Sequence, residues 1–251
     1  MGEKGERVTV VLFDMDGTLS PARKSVEPDI VEPLLKLSEK AKIGIVTGSG
    51  LNYIKEQAGP LLSIPNIHIL PCNGTQHYLS GDKLHDVNMQ EELGEYEFGR
   101  IVQEILTLQT EIAYKYPIPL TGHFVDYRGS MINWCPIGRN ATTLDREKFQ
   151  RQDKQYRIRA IYLDLLREVV TDKATIALGG NTSFDIYPNG WDKTYALRHF
   201  EGERIYFVGD KCTGDGNDRQ ICEAVGGWCY PVSSPADTID LINNILLKSI
   251  N

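Results

Sequence analysis

The stretch VLFDMDGTLS, Val11 to Ser20, decides how the rest of the chain is read. An apolar run, VTVVLF, ends in two aspartates one residue apart, Asp14 and Asp16, and a Gly-Thr follows at once. An uninterrupted apolar run of this length reads as a strand buried on both faces. Asp-Gly is also a common turn dipeptide, so a lone D-x-D-G at a strand end reads equally as a solvated turn. The alternative is a reactive site, because ligands of open α/β sheets collect outside the carboxyl ends of the parallel strands. There one carboxylate can attack phosphorus while the other moves a proton.

Working outward, the first third alternates strand and helix signals. DIVEPLLKLSEK puts Ile30, Leu34 and Leu37 on one helical face, and KIGIVTGS is a second buried strand. LNYIKEQAG reads as a helix closed by Gly59, and NIHILPCNGTQHYL as a strand, a turn and a hairpin. This βαβ rhythm predicts a parallel sheet. The middle differs. A helix through Leu93, Ile101, Ile105 and Ile112 leads to two short strands, FVDYR and MINWCPIG. One polar, basic helix, REKFQRQDKQYRIRAIYLDLLREVV, precedes two more strands, ATIALGG and TSFDIYP. The last part returns to the first rhythm: WDKTYALRHF as helix, RIYFVGD as buried strand, GNDRQICEAV as short helix, and a final helix capped near Ser234 to Asp237. The expected fold is therefore α/β, with a parallel-sheet core from residues 1–86 and 191–251. It is interrupted at residues 87–190 by an α+β insertion with an antiparallel sheet.

Composition narrows the function classes. A formal net charge of −7 argues against nucleic acid as the main partner, which wants a basic surface. The five scattered cysteines include no C-x-x-C pair, Cys222 and Cys229 stand too isolated to indicate zinc, and an odd total argues against a secreted disulfide framework. Reduced thiols and a cytoplasmic location are expected. MGEKGER has no apolar signal-like core, and no apolar run approaches membrane-spanning length.

A second strand end, RIYFVGDKCTGDGND, resembles the first in kind, with Asp210 after the strand and Asp218 after a glycine-rich loop. If the strands are neighbours, Asp14, Asp16, Asp210 and Asp218 converge, and carboxylates so gathered need a cation. Hard oxygen ligands favour Mg²⁺. Thr47 and Ser49 end the strand IGIVTGS, where a hydroxyl and backbone N–H groups can hold a phosphoryl oxygen. Lys193 in GWDKTYAL is by itself most simply a solvated charge, but it can also balance the carboxylates and bind phosphate. Together DMDGT, TGS, WDK and GD…GND resemble the four motifs of the haloacid dehalogenase superfamily of aspartyl-phosphate enzymes. That resemblance implies Asp14 as the nucleophile and Asp16 as general acid/base, with its backbone carbonyl on Mg²⁺. It implies Thr47 or Ser49 with Lys193 as phosphoryl holders, Asp14 and Asp210 as metal ligands, and Asp218 as their support.

The insertion is locally basic: residues 121–159 carry eight Lys/Arg against four Asp/Glu. Arg128, Arg139 and Arg146 suit an oxyanion, because a guanidinium fork binds it bidentately. Arg151, Lys154, Arg157 and Arg159 read as a solvated helix face. In NTSFDIYP the alternation puts Ser183, Asp185 and Tyr187 on one face, which suits sugar hydroxyls or an ordinary wet sheet surface. FDMDGTLSPAR, FVDYRGSMINWCPIGR, GGNTSFDIYPNGWDKTYAL and IYFVGDKCTGDGND, in this order, resemble the eukaryotic-type α-phosphomannomutases across nearly the whole chain.

The resemblance implies a cap of the C2b type on a Rossmann-like core. Arg23 would contact substrate; Arg128, Arg139 and Arg146 would bind the distal phosphate; Ser183 and Asp185 would bind hexose hydroxyls. It further implies Mg²⁺, a hexose 1,6-bisphosphate activator, hexose-phosphate substrates, a homodimer joined through the caps, and a supply of mannose 1-phosphate to GDP-mannose synthesis. The bisphosphate must turn around between half-reactions, which motion of the cap would allow. Glucose phosphates fit as well, since nothing discriminates at the hexose 2-position. The rival on the same scaffold is a sugar-phosphate phosphatase, with water as the only acceptor; the rival of another class is a non-catalytic sugar-phosphate binder. In one place the chain departs from the family. Its second cation is held by a stretch like FTDPRT, whereas CEAVGG, Cys222 to Gly227, puts Ala224 at the carboxylate position and Gly227 at the threonine. Glu223 lies one residue out of register, so one Mg²⁺ and a weakened or absent second site are expected.

Overall fold

The apolar run before Asp14 forms strand β1 (Thr9–Phe13), buried at every residue but the first. The computed structural model describes residues 7–170, 172–214 and 216–250. The further strands are β2 (Lys42–Val46), β3 (His68–Leu70), β4 (Gln76–Leu79), β5 (Asp82–Asp86), β6 (Val125–Tyr127), β7 (Ile132–Trp134), β8 (Ala174–Gly179), β9 (Ser183–Pro188), β10 (Arg204–Gly209) and β11 (Cys229–Pro231). Helices α1 (Val31–Ser38), α2 (Leu51–Gln57), α3 (Met89–Leu93), α4 (Glu95–Lys115), α5 (Thr143–Tyr156), α6 (Ile158–Val169), α7 (Arg219–Val225) and α8 (Pro235–Leu241) run between them. The chain divides into two compact units, Met1–Asp86 with Gly190–Asn251, and Val87–Asn189.

In the first unit the sheet order is β11-β10-β1-β2-β3-β4-β5. The strands from β11 to β3 pair in parallel, and β4 and β5 extend the edge antiparallel. Side chains alternate along β1: Val11 and Phe13 enter one apolar layer with α1, while Val10 and Leu12 enter another with Phe200 and Phe207. Burial on both faces explains why β1 is apolar throughout rather than alternating. Four of the five histidines gather at the antiparallel edge. His68 Nδ1 and His77 Nε2 are 2.8 Å apart, and the His199 ring lies 4.5 Å from that of His77 and 5.0 Å from that of His85.

The second unit has a sheet of order β6-β7-β9-β8, antiparallel throughout. Its helical segments break where single continuous helices were expected. Gly94, at φ 84°, separates α3 from α4. Arg157, at φ 54°, separates α5 from α6. The second break has a polar cause: the Asp153 carboxylate accepts the Arg159 backbone N–H at 2.7 Å and its Nε at 2.6 Å. Asp153, still inside α5, thus accepts a first-turn N–H of α6 across the break. WDKTYALRHF is likewise a 3₁₀ segment, Lys193–Phe200, and Asp192 caps it through the Thr194 N–H at 2.8 Å.

The expectation of uniformly reduced thiols is corrected. Cys222 in α7 and Cys229 at the start of β11 form a disulfide, with Cα atoms 5.1 Å apart. The cause is the short turn after α7, which brings β11 back beside β10 and so sets Cys229 against the helix. Cys72, Cys135 and Cys212 are free and buried.

Candidate active site

Register brings the acidic strand ends together. β1 pairs directly with β10, Phe13 opposite Val208, so Asp14 and Asp210 leave adjacent strands at the same end of the sheet. The Asp14 N–H donates to Val208 O at 2.9 Å, which extends the ladder by one bond. Carboxylate oxygens of Asp14, Asp210 and Asp218 lie within 4.8 Å of one another. Lys193, itself buried, donates from Nζ to both Asp14 Oδ1 and Asp218 Oδ1. Burial pushes the Asp14 carboxyl up to about 7; Lys193 pulls it down, and Asp218 and Asp210 add to the upward push. Burial also raises Asp210.

The donor set fits a hard cation. Asp210 Oδ1 is buried with no hydrogen-bond partner, and every oxygen in the cluster is a carboxylate. Gly17 makes the close approach feasible. It sits at φ 91°, and a Cβ there would run into the Asp210 carboxylate. Asp16 is held separately. Its Oδ1 accepts the Arg23 backbone N–H at 2.7 Å and the Tyr53 hydroxyl at 2.9 Å. The Arg23 side chain is exposed, on backbone at φ 59°. Thr47, buried at the end of β2, accepts the Ser49 N–H on Oγ1 at 3.1 Å, and Asn73 N–H donates to its carbonyl at 2.8 Å. Glu223, by contrast, lies 3.3 Å from Arg219 Nε on the exposed side of α7.

The second unit holds a polar cluster of its own. Asp126 on β6 pairs with Asn133 on β7, and Asn133 pairs with Asp185 on β9, so the three side chains stand abreast on one sheet face. Asn133 Nδ2 donates to Asp185 Oδ1 at 2.6 Å and to Ser183 Oγ at 3.1 Å. Its Oδ1 accepts Arg139 Nη1 at 2.9 Å. Arg128 and Arg139 share Asp126 Oδ2, at 2.9 and 3.4 Å. Arg146 is buried deeper: it donates to Ala141 O, Thr182 Oγ1 and Arg139 O at 2.8–3.1 Å and so fixes the backbone that carries Arg139. Burial raises the Asp185 carboxyl, against Arg128 and the Asn133 bond. Sequence reasoning missed Tyr53, Asp126 and Asn133. The alternation of Asp126 with Val125 and Tyr127, and of Asn133 with the buried Ile132 and Trp134, was the available signal.

Solved structures of low identity share this fold. A truncated Plasmodium falciparum IMP-nucleotidase superposes with a TM-score of 0.64 at 14% identity, covering 98% of this chain and 72% of that one. A trehalose-6-phosphate phosphatase related protein gives 0.57 at 17%, covering 96% and 98%. With the strand order and the two acidic strand ends, they define a haloacid-dehalogenase-type fold with an inserted cap. Sequence likeness is narrower. The profile of eukaryotic phosphomannomutase matches residues 30–248. The phosphomannomutase of Saccharomyces cerevisiae is 38% identical over 242 residues, 94% of each chain. Phosphomannomutase 2 of Dictyostelium discoideum is 35% identical over 246 residues, 96% of this chain and 97% of its own. The chain belongs to the eukaryotic phosphomannomutase family.

Proposed function

We propose that the protein interconverts mannose 6-phosphate and mannose 1-phosphate through a phosphorylated Asp14 and a hexose 1,6-bisphosphate. The observation that carries this reading, in a chain of this family, is the buried Lys193 bridge between Asp14 and Asp218 beside the unpartnered oxygen of Asp210. Residues 1–86 and 191–251 form the catalytic core and residues 87–190 the substrate-binding cap. Asp14 and Asp210, with the Asp16 backbone carbonyl, would hold Mg²⁺, which when bound neutralises charge on the transferring phosphoryl group.

Asp14 attacks the reacting phosphorus of the bisphosphate, the bond from phosphorus to the sugar oxygen breaks, and Asp16 gives that oxygen a proton. The phosphoryl group then passes from Asp14 to the free hydroxyl of a monophosphate, whose proton Asp16 takes. Tyr53 and the Arg23 N–H hold the Asp16 carboxylate for both transfers. Lys193 opposes the rise that burial imposes on the Asp14 carboxyl and, with Thr47 or Ser49, binds phosphoryl oxygens. The other phosphate of the bisphosphate goes to the cap arginines: Arg128 and Arg139 bind it, and Arg146 adds charge and anchors Arg139. Ser183 and Asp185 take sugar hydroxyls, and Arg23 touches the substrate.

The product would feed GDP-mannose synthesis, and glucose phosphates would also be turned over. Two caps would join in a homodimer, for which α4 offers exposed Tyr96, Leu106 and Tyr114. No described helix is long and apolar enough to cross a membrane. A cytoplasmic setting belongs to this reading: three cysteines are free and buried, and the Cys222–Cys229 bridge would be the exception there.

The test is a coupled assay of mannose 1-phosphate with and without hexose 1,6-bisphosphate, with free phosphate measured in parallel. Isomerisation that needs the bisphosphate supports the mutase. Phosphate release that ignores it would make the protein a phosphatase, and silence in both channels a binder.

A further inference from the structure

Three cysteines crowd beneath the acidic strand ends. Cys212 Sγ lies 3.8 Å from Cys229 Sγ, and the latter is bonded to Cys222. Cys212 follows Asp210 by two residues, and its thiol donates to Gly209 O at 3.4 Å. The disulfide therefore lies directly against the end of β10. It also grips α7 in its first turn. The Cys222 N–H donates to Asp218 O at 3.0 Å, and Asp218 in turn receives Lys193 and, at 3.1 Å, the Lys211 N–H. The helix buries Ile221 and Cys222 in the apolar layer beside Phe207, Val225 packs against the same layer, and the glycines Gly226 and Gly227 follow. The covalent link from Cys222 to β11, whose Cys229 is paired with Phe207 of β10, anchors the turn that presents Asp218.

We propose that Cys222 and Cys229 form a dithiol–disulfide switch, operated by a reductant of the Cys-x-x-Cys dithiol class, that sets how firmly Asp218 holds Lys193 and hence the rate of phosphoryl transfer. The effect on rate rests on the assignment of Asp14, Lys193 and Asp218 to that chemistry. Cys229 is half-buried and Cys222 buried, so the incoming thiolate meets Cys229 Sγ. A mixed disulfide forms there, the Cys222–Cys229 bond breaks, and Cys222 leaves as a thiolate that takes a proton. The second thiol of the reductant then displaces Cys229. Two electrons and two protons have passed to the protein, and the reductant ends as a disulfide. A low-molecular-weight disulfide such as oxidised glutathione runs the reverse.

Three measurements on the full chain test this. Maleimide labelling of protein incubated with oxidised glutathione, then denatured without reductant, should find three of the five cysteines free, and peptide mapping should place the bridge at Cys222–Cys229. Five free thiols, or a bridge from Cys212, would overturn the proposal. Reduction by a dithiol should speed amide exchange across residues 218–229 by on the order of tenfold, because the cross-link no longer restrains local opening. Isomerase turnover should fall several-fold on reduction and return on reoxidation, with Cys222→Ala/Cys229→Ala fixed at the reduced level. Equal exchange and equal turnover in both forms would leave a bridge with no switching role and sink the idea. If neither form isomerises mannose phosphates, the assigned activity fails, and thiol counts with amide exchange still decide whether the clip acts on Asp218.

Discussion

Lys193 is the residue on which the core site turns. It is buried between two carboxylates, one 179 positions earlier in the chain and one 25 later. Removing the Asp14 charge leaves Lys193 paired with Asp218 alone and, on the proposed route, leaves no nucleophile. Asp14→Asn should therefore abolish isomerisation and any phosphate release while the fold persists, since an amide cannot form the acyl phosphate. Near-native turnover in that variant, with an intact thermal transition, would exclude the aspartyl-phosphate route. Arg139 gives the matching test in the cap. It lies against Asn133 and Asp126, and charge-assisted bonds of its kind are worth about 1.5–3 kcal/mol each, or roughly 10- to 100-fold in affinity. Arg139→Ala should weaken substrate binding by about that factor and raise the ratio of hydrolysis to isomerisation; an unchanged ratio and unchanged affinity would argue for a merely solvated arginine. Asp14, Lys193 and Asp210 were legible in the sequence because each sits at an element end in a distinctive motif. Tyr53 and Asn133 were not, because a tyrosine in a helix or an asparagine in a strand acquires a role only when register supplies its neighbours.

At the scale of elements, the turn after β1 and the helix after β10 are matched parts. Gly17 combines positive φ with a contact to Asp210 that leaves no room for a methyl group. Gly17→Ala should cost about 1–3 kcal/mol of stability from backbone strain alone. It should also push Asp210 aside, so on the proposed function the divalent-cation dependence of activity should shift to higher concentration; calorimetry and a metal titration read the two effects separately. The turn after α7 carries a different expectation. Ala224 and Gly227 offer no carboxylate or hydroxyl, and Glu223 is engaged by Arg219. A manganese-soaked crystal should show one anomalous peak, at Asp14 and Asp210; a full second ion in residues 222–227 would contradict this. Parallel strands and the main helices were readable from periodicity, because burial on two faces or one stripe leaves a regular apolar pattern. The breaks at Gly94 and Arg157 were not, since the pattern runs on through them and only the local bonds from Asp153 to Arg159 mark the second.

For the molecule as a whole, the buried histidine pair makes stability depend on pH. Burial holds His68 down to about 4 and His77 to about 3, with His199 and Lys42 adding to the effect and Glu203 opposing it at His68. Both values lie below the ordinary histidine value near 6.5, so between that pH and about 3 the unfolded chain binds more protons than the folded one. Their contribution is complete above pH 6.5 and is lost as pH falls through this window. Asp14, raised from 3.8 to about 7, acts in the opposite sense, favouring the fold at low pH and losing that effect as pH rises. The two are separated by comparing denaturant midpoints at pH 7.5 and 5 for wild type and His77→Gln. The variant should lose less stability on acidification, and identical losses would clear the pair of any part in it. The strand order has one more consequence, which concerns synthesis. β1 is flanked by β2 and by β10, and β10 is not complete until residue 209 has been made. A nascent chain made as far as Asp86 therefore presents a central strand with one open edge. The unit Val87–Asn189 is continuous, carries its whole four-stranded sheet, and can close before the ribosome supplies what β1 is waiting for. Asp14 is thus made before the whole of Val87–Asn189 and housed only after it, once β10 follows.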